Sequence, residues 1–297
     1  MTNAQYESVV ALVADPFLQA RSDAEAGLKA LGVRTVLLAG SLEATRTSLG
    51  DTFVDVLIAS AEWPDGDLCE LLTEIRHSKA GPNPFLCILV AAADREAPSG
   101  WRPLRFGADD LVIAPVSEEA IRDGLSALVS GRNKFVATSD YVGPDRRADS
   151  GRETTIPLLD VPNSLRDKVE GRFDPEAIAR ATLETNKEIG VQKLERHAAQ
   201  LVLLANRVGP DLLVRGIDEA VAVFFEQMVW IAEDVERRLG NDTEAAKACQ
   251  ALIGQVNRLE KVKGVPSTPE VGRLIQLASV VSSRISNRNA EGAAAQA

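Results

Sequence analysis

Histidine, cysteine, methionine and aromatic residues are all scarce in this chain of 297 residues, which has two His, three Cys, two Met and 4% aromatics. Cys69, Cys87 and Cys249 are scattered, odd in number and without metal-ligand spacing, so they read as buried thiols in a reducing compartment and not as a disulfide framework. The sequence also lacks a glycine-rich phosphate loop, a metal-ligand cluster and a Ser-His-Asp set. No enzyme activity, metal or cofactor is therefore expected. No apolar window reaches membrane-spanning length: the richest, residues 220–232, is interrupted by Glu226 and Gln227. The opening residues Met1 to Tyr6 carry neither a basic segment nor an apolar run, so no signal peptide is expected and the location is read as cytoplasmic. A basic stripe with interleaved aromatics is missing as well, which argues against nucleic acid as a partner.

Acid is plentiful, and it is unevenly placed. Residues 1–130 hold 10 Lys and Arg against 19 Asp and Glu, whereas 131–171 hold 7 and 7, and 172–297 hold 16 and 17. The net charge of −10 thus sits almost wholly in the first part, whose surface repels phosphate backbones and anionic lipid. With 45% hydrophobic residues the chain can build two cores.

The first part alternates short apolar runs with helical segments. Val9 to Asp15 is apolar, ends in an acid and precedes the helical run Leu18 to Leu31, the pattern of a buried strand and its crossover helix. Val54 to Ser60 and Phe85 to Ala91 read as further strands. Gly107-Ala108-Asp109-Asp110-Leu111-Val112-Ile113-Ala114-Pro115 closes the series. This last stretch resembles the end of a bacterial response-regulator receiver domain, and the order of motifs over residues 6 to 130 fits that family. The resemblance implies a doubly wound α/β fold with a parallel sheet. It also implies a phosphorylation pocket whose parts are mostly replaced. Ala14-Asp15 stands where two adjacent acids hold Mg²⁺, Ser60 at the phosphate-accepting aspartate, Ala92 at the switch Ser/Thr, Leu111 at the switch aromatic and Ala114 at the phosphate-contacting lysine. Phosphoryl transfer needs a nucleophilic oxygen, a cation held by several oxygens and a positioned positive charge. Asp15, Ser60, Ala92 and Ala114 supply little of this, so a pseudo-receiver that is not phosphorylated in the usual way is expected.

Residues 131–171, with three prolines and no sustained period, read as a linker. Within it, Tyr141-Val142-Gly143-Pro144-Asp145-Arg146-Arg147 resembles a tail found in a set of bacterial receiver-type proteins. Two readings stay open: a Gly-Pro turn that docks Tyr141 on the preceding domain with the arginines solvated, or a partner or anion site built from Arg146 and Arg147.

Residues 172–290 read as an all-α bundle of four amphipathic helices. The first starts at Asp174-Pro175-Glu176, runs to about Arg207 and is broken by Gly209-Pro210. The second ends near Leu239, the third spans Asp242 to about Val262, and the fourth starts at the capping-box-like Ser267-Thr268-Pro269-Glu270. His197 lies in the first helix without an orienting motif and reads as a surface or boundary residue. The expected function is that of a noncatalytic signalling adaptor, with protein partners such as a signalling kinase or a structural complex. Its receiver-like face is approximated by residues 109 to 129, and homo-oligomers would form through the helical domain. The alternatives are a histidine phosphotransfer protein acting through His197, or a small-molecule sensor using the vacated pocket.

Overall fold

The computed structural model describes residues 4–94, 96, 101–146, 156–240 and 243–294, the last five of these as backbone only. The chain divides into two compact units, residues 1–189 and 190–297. The expected boundary near residue 171 therefore moves to the middle of a continuous helix.

The first unit contains a parallel five-stranded sheet of β1 (Val10–Ala14), β2 (Thr35–Ala39), β3 (Val56–Ser60), β4 (Cys87–Ala92) and β5 (Asp110–Ile113), in the order β2-β1-β3-β4-β5. This is the doubly wound order of the receiver fold, with the topological switch between β1 and β3. Its helices are α1 (Leu18–Ala30), α2 (Leu42–Asp51), α3 (Leu68–Arg76) and α4 (Glu118–Gly131). Alternating side chains of the strands face opposite ways. Val13, Ile58 and Leu89 pack with Leu28 of α1 and Ile121 and Leu125 of α4, whereas Leu12, Leu57 and Ile88 pack with Leu49 of α2 and Leu71 and Ile75 of α3. Both faces are covered, which is why the strands are almost continuously apolar in sequence. Between β4 and β5 a 3-10 turn occupies Pro103–Phe106.

The stretch expected to be a linker is structured wherever it is described. Strands β6 (Phe135–Ala137) and β7 (Val142–Pro144) form an antiparallel hairpin, Phe135 exchanges both backbone hydrogen bonds with Leu159, and α5 (Ser164–Val169) follows. Phe135, Ala137, Val142 and Leu159 bury themselves against Phe85 and Ile189, and Leu165 enters the core under α1 and α4. Strands of three residues are too short to show a period of two, so only polarity and proline were visible in the sequence. The buried Asp55 and the largely covered Lys168, 2.6 Å apart, pin α5 to the sheet.

Helix α6 (Pro175–Arg215) passes from the first unit into the second, whose other helices are α7 (Glu219–Leu239), α8 (Glu244–Leu259) and α9 (Thr268–Ala294). Leu201, Val208 and Leu212 of α6 share one core with Phe225, Met228, Ile231, Leu252, Val256, Leu274 and Val281. The expected break at Gly209-Pro210 does not occur: α6 runs five residues further, to Arg215. A proline removes one backbone hydrogen bond, but the fully buried Val208 and Leu212 hold the chain on both sides of it. Gly209 belongs to the packing itself, since a Cβ there would lie 3.1 Å from Ile275 Cδ1. Asp218 and Thr243 cap α7 and α8, and the Glu270 carboxylate accepts from the Ser267 amide at 2.8 Å, which supplies one half of the capping box at α9. No helix of the described residues is long and apolar enough to cross a membrane.

Candidate functional site

The parallel register brings the receiver positions together at the carboxyl ends of the strands. Ala14 ends β1 with Asp15 next to it, Ser60 ends β3, Ala92 ends β4, and Ala114 follows β5 and donates its amide to the Ala92 carbonyl at 2.9 Å. What gathers there is poor in charge. Asp15 Oδ1 accepts the Phe17 amide at 2.8 Å, and the Asp15 carbonyl takes Arg21 at 2.5 Å, so both serve the turn into α1. The Ser60 hydroxyl lies 3.3 Å from the Glu62 carbonyl, and its own carbonyl accepts Trp63 Nε1 at 2.7 Å. Ala92 is buried and Ala114 exposed, and neither side chain carries a polar atom. Phe17, 71% exposed, and Ile113 add apolar surface at the same edge. Leu111, at the aromatic switch position, is buried in the core with Leu72 and Val90.

A second constellation lies at the opposite end of β5, and the sequence reading missed it. Asp109 sits between two guanidiniums, 2.9 Å from Arg76 and 2.7 Å from Arg132, with the first pair's side chains only 1% exposed. Its Oδ2 also accepts the Ile88 amide at 2.8 Å. The remaining guanidinium donors are directed at carbonyls, Arg76 at Gly107, Pro84 and Leu86, and Arg132 at Phe85 and Leu86. Both cations lie over the Phe135 ring, at 5.1 and 4.8 Å from its centroid. Burial opposes ionisation of Asp109, but Arg132 and Arg76 outweigh it and hold the carboxyl below its usual range. Burial likewise pulls Arg76 down to about 10, which leaves it charged at neutral pH.

The Tyr141–Arg146 hairpin closes over this cluster. The Tyr141 hydroxyl donates to the Pro144 carbonyl at 2.9 Å, and burial pushes its pKa up to about 12. The solvation expected of the arginines is not found at Arg146, whose guanidinium donates to the Ala108 carbonyl at 2.8 Å and to the Asp109 carbonyl. Arg147 lies outside the described residues. Two glycines permit the contact: a Cβ on Gly143 would lie 2.9 Å from Gly107 Cα, and one on Gly107 would lie 2.7 Å from Arg76 Cγ and 3.2 Å from the Val142 carbonyl. Thus the two sequence motifs that carry the family resemblance abut each other. Their joint role was not legible because Asp109 finds its partners 33 and 23 residues away.

His197 is corrected from a surface residue to a fully buried one. Its ring stands edge-on to Trp230 at 5.8 Å, and Nδ1 is 3.4 Å from an Asp234 oxygen that also takes Arg238 at 2.5 Å. A phosphotransfer histidine must meet a partner's active site, and this one is covered by its own helices. All three cysteines are buried, and desolvation pushes Cys69, Cys87 and Cys249 up to about 12, which keeps them as unreactive thiols.

No family model matches the chain, and no curated protein matches it. Among solved structures it is similar to the chemotaxis response regulator CheY4 of Vibrio cholerae, 20% identical, with 40% of this chain and 98% of that one covered and a TM-score of 0.35. It is also similar to full-length FixJ from B. japonicum, 14% identical, with 93% of this chain and 98% of that one covered and a TM-score of 0.35. At these distances the fold rests on the strand order and register described above.

Proposed function

We propose that the chain is a noncatalytic signalling adaptor whose receiver-like unit presents a binding face that phosphorylation does not switch. The observation that carries this reading is the makeup of the strand ends, where Ser60, Ala92 and Ala114 carry neither a carboxylate nor an ammonium group and the Asp15 carboxylate is engaged in its own turn. Such a set offers no aspartyl nucleophile on β3, no paired acids for Mg²⁺ and no lysine for the phosphoryl oxygens. The face itself is a groove of about 670 Å³ along β5 and α4, lined among others by Leu111, Ile113, Pro115, Ala120 and Ala127. It coincides with residues 109 to 129, and the buried Asp109 cluster anchors the start of its strand. A protein partner, a kinase or a structural complex in the cytoplasm, would dock there. In the second unit Leu203, Val214, Val223 and Trp230 are exposed on α6 and α7, a strip suited to self-association.

Intact-mass measurement after incubation with acetyl phosphate and Mg²⁺ tests the reading. An unchanged mass is expected, and a gain of one phosphoryl group on Asp15 or Ser60 would refute it. Affinity capture from native lysate with the full chain should recover a signalling protein whose retention survives phosphatase treatment and is lost in Ile113→Asp and Ala120→Glu.

A further inference from the structure

The end of α3, the 3-10 turn before β5 and the tip of the β6–β7 hairpin enclose a cavity of about 450 Å³, within the size range of small-ligand sites. Its wall differs from the rest of this acidic unit. Trp101 and Phe106 are exposed there, at 41% and 37%, although most large rings of this unit are covered. Each carries an arginine: Arg105 lies 5.5 Å from the Trp101 ring centroid, and Arg102 lies 5.3 Å from that of Phe106. Asp67 neutralises Arg102 through contacts of 2.6 and 3.1 Å. Arg105 has no carboxylate partner among the described residues, and its guanidinium lies beside the Trp101 ring. Asp140 is the acid in the lining, and Tyr141 forms the floor with its hydroxyl already engaged.

These features select a ligand by chemistry. A planar fork over one aromatic face provides paired donors for an oxyanion, and the exposed ring edges and faces provide stacking for a flat apolar group. With one guanidinium lacking a carboxylate partner, the suited charge is small. We infer that this cavity is a binding site for a small planar aromatic molecule bearing an anionic group, a chemistry that nucleoside monophosphates and aromatic carboxylates share. It is separate from the strand-end pocket at Asp15 and from the groove along β5, so it does not depend on the adaptor reading.

Isothermal titration of the full chain with AMP, GMP, indole-3-acetate and phenylacetate tests this, with guanosine and indole as uncharged counterparts. Saturable one-site binding is expected from one of the two classes, nucleotides or aromatic acids, and the class that binds identifies the source. The uncharged counterpart should bind about tenfold more weakly, as should the Arg105→Gln and Trp101→Ala variants, since a charge-assisted hydrogen bond or a ring contact is removed. Arg105 is exposed, so the thermal midpoint of the Arg105→Gln variant should stay at the wild-type value, and its binding loss then reports on the cavity. Absence of saturable binding by all four anions at low millimolar concentration would overturn the inference, as would binding that both variants leave unchanged.

Discussion

Asp109 shows how one residue can carry a structural load far from its neighbours in sequence. An ion set taken out of water is stabilising only while complete, because removal of one member leaves the others charged and unpaired. Asp109→Asn should therefore lower the unfolding free energy by about 3 to 5 kcal/mol, measured by urea denaturation at neutral pH. The same residue predicts a pH dependence. Its folded pKa is depressed, so its contribution is present above the ordinary value of 3.8 and is lost as pH falls from there through the lower folded value. Stability of the wild type should fall more steeply with acid over that window than that of Asp109→Asn. Gly143 makes a complementary case. A Cβ at this position would sit 2.5 Å from the Tyr141 hydroxyl and 2.9 Å from Gly107 Cα, and the second neighbour is backbone that has little room to give. Gly143→Ala should cost about 1 to 3 kcal/mol, read as a lowered thermal midpoint, and should move Tyr141 into solvent, read by its near-ultraviolet dichroism.

Among the elements, α6 and the hairpin depart furthest from sequence rules. Local propensity places a helix end at Gly209-Pro210, and the core of the second unit overrides it through Val208 and Leu212. Pro210 is exposed and sits within the helix, so Pro210→Ala restores a backbone donor without opening a cavity. The variant should be more stable by up to about 3 kcal/mol, seen as a higher thermal midpoint. The hairpin and α5 failed to register as elements because they are three to six residues long and draw their order from the receiver-like core beneath them. By contrast the strands β1, β3 and β4 and the helices α8 and α9 start within a few residues of their expected positions, since each carries enough apolar residues to show its period, while α7 ends at Leu239 as expected but starts only at Glu219 because α6 keeps the residues after Pro210.

At the scale of the whole molecule, the first folding unit is larger than the family pattern alone would draw it. A fragment ending at residue 130 leaves out Phe135, Leu165 and Lys168, which exposes part of the core and leaves the Asp55 carboxylate buried without its cation. A fragment of residues 1–189 should unfold cooperatively in urea, whereas one of residues 1–130 should show a shallower, earlier transition or aggregate. A matching transition in both would mean that the segment after residue 130 contributes nothing to the unit.

The apolar strand segments of the receiver-like unit, the helical nature of residues 175 onward and the presence of Ser60, Ala92 and Ala114 at the strand ends were legible in the sequence, because apolar period and residue identity are local properties, whereas the parallel sheet entered only as what the resemblance implies. Only the tertiary structure decided that Arg146 caps the carbonyls of residues 108 and 109, that His197 is buried beside Asp234, and that Asp109 joins Arg76 to Arg132. Those contacts depend on groups tens of residues apart meeting in a water-excluded space. No local pattern encodes such a meeting, because the burial that makes each contact matter arises only once the chain has folded.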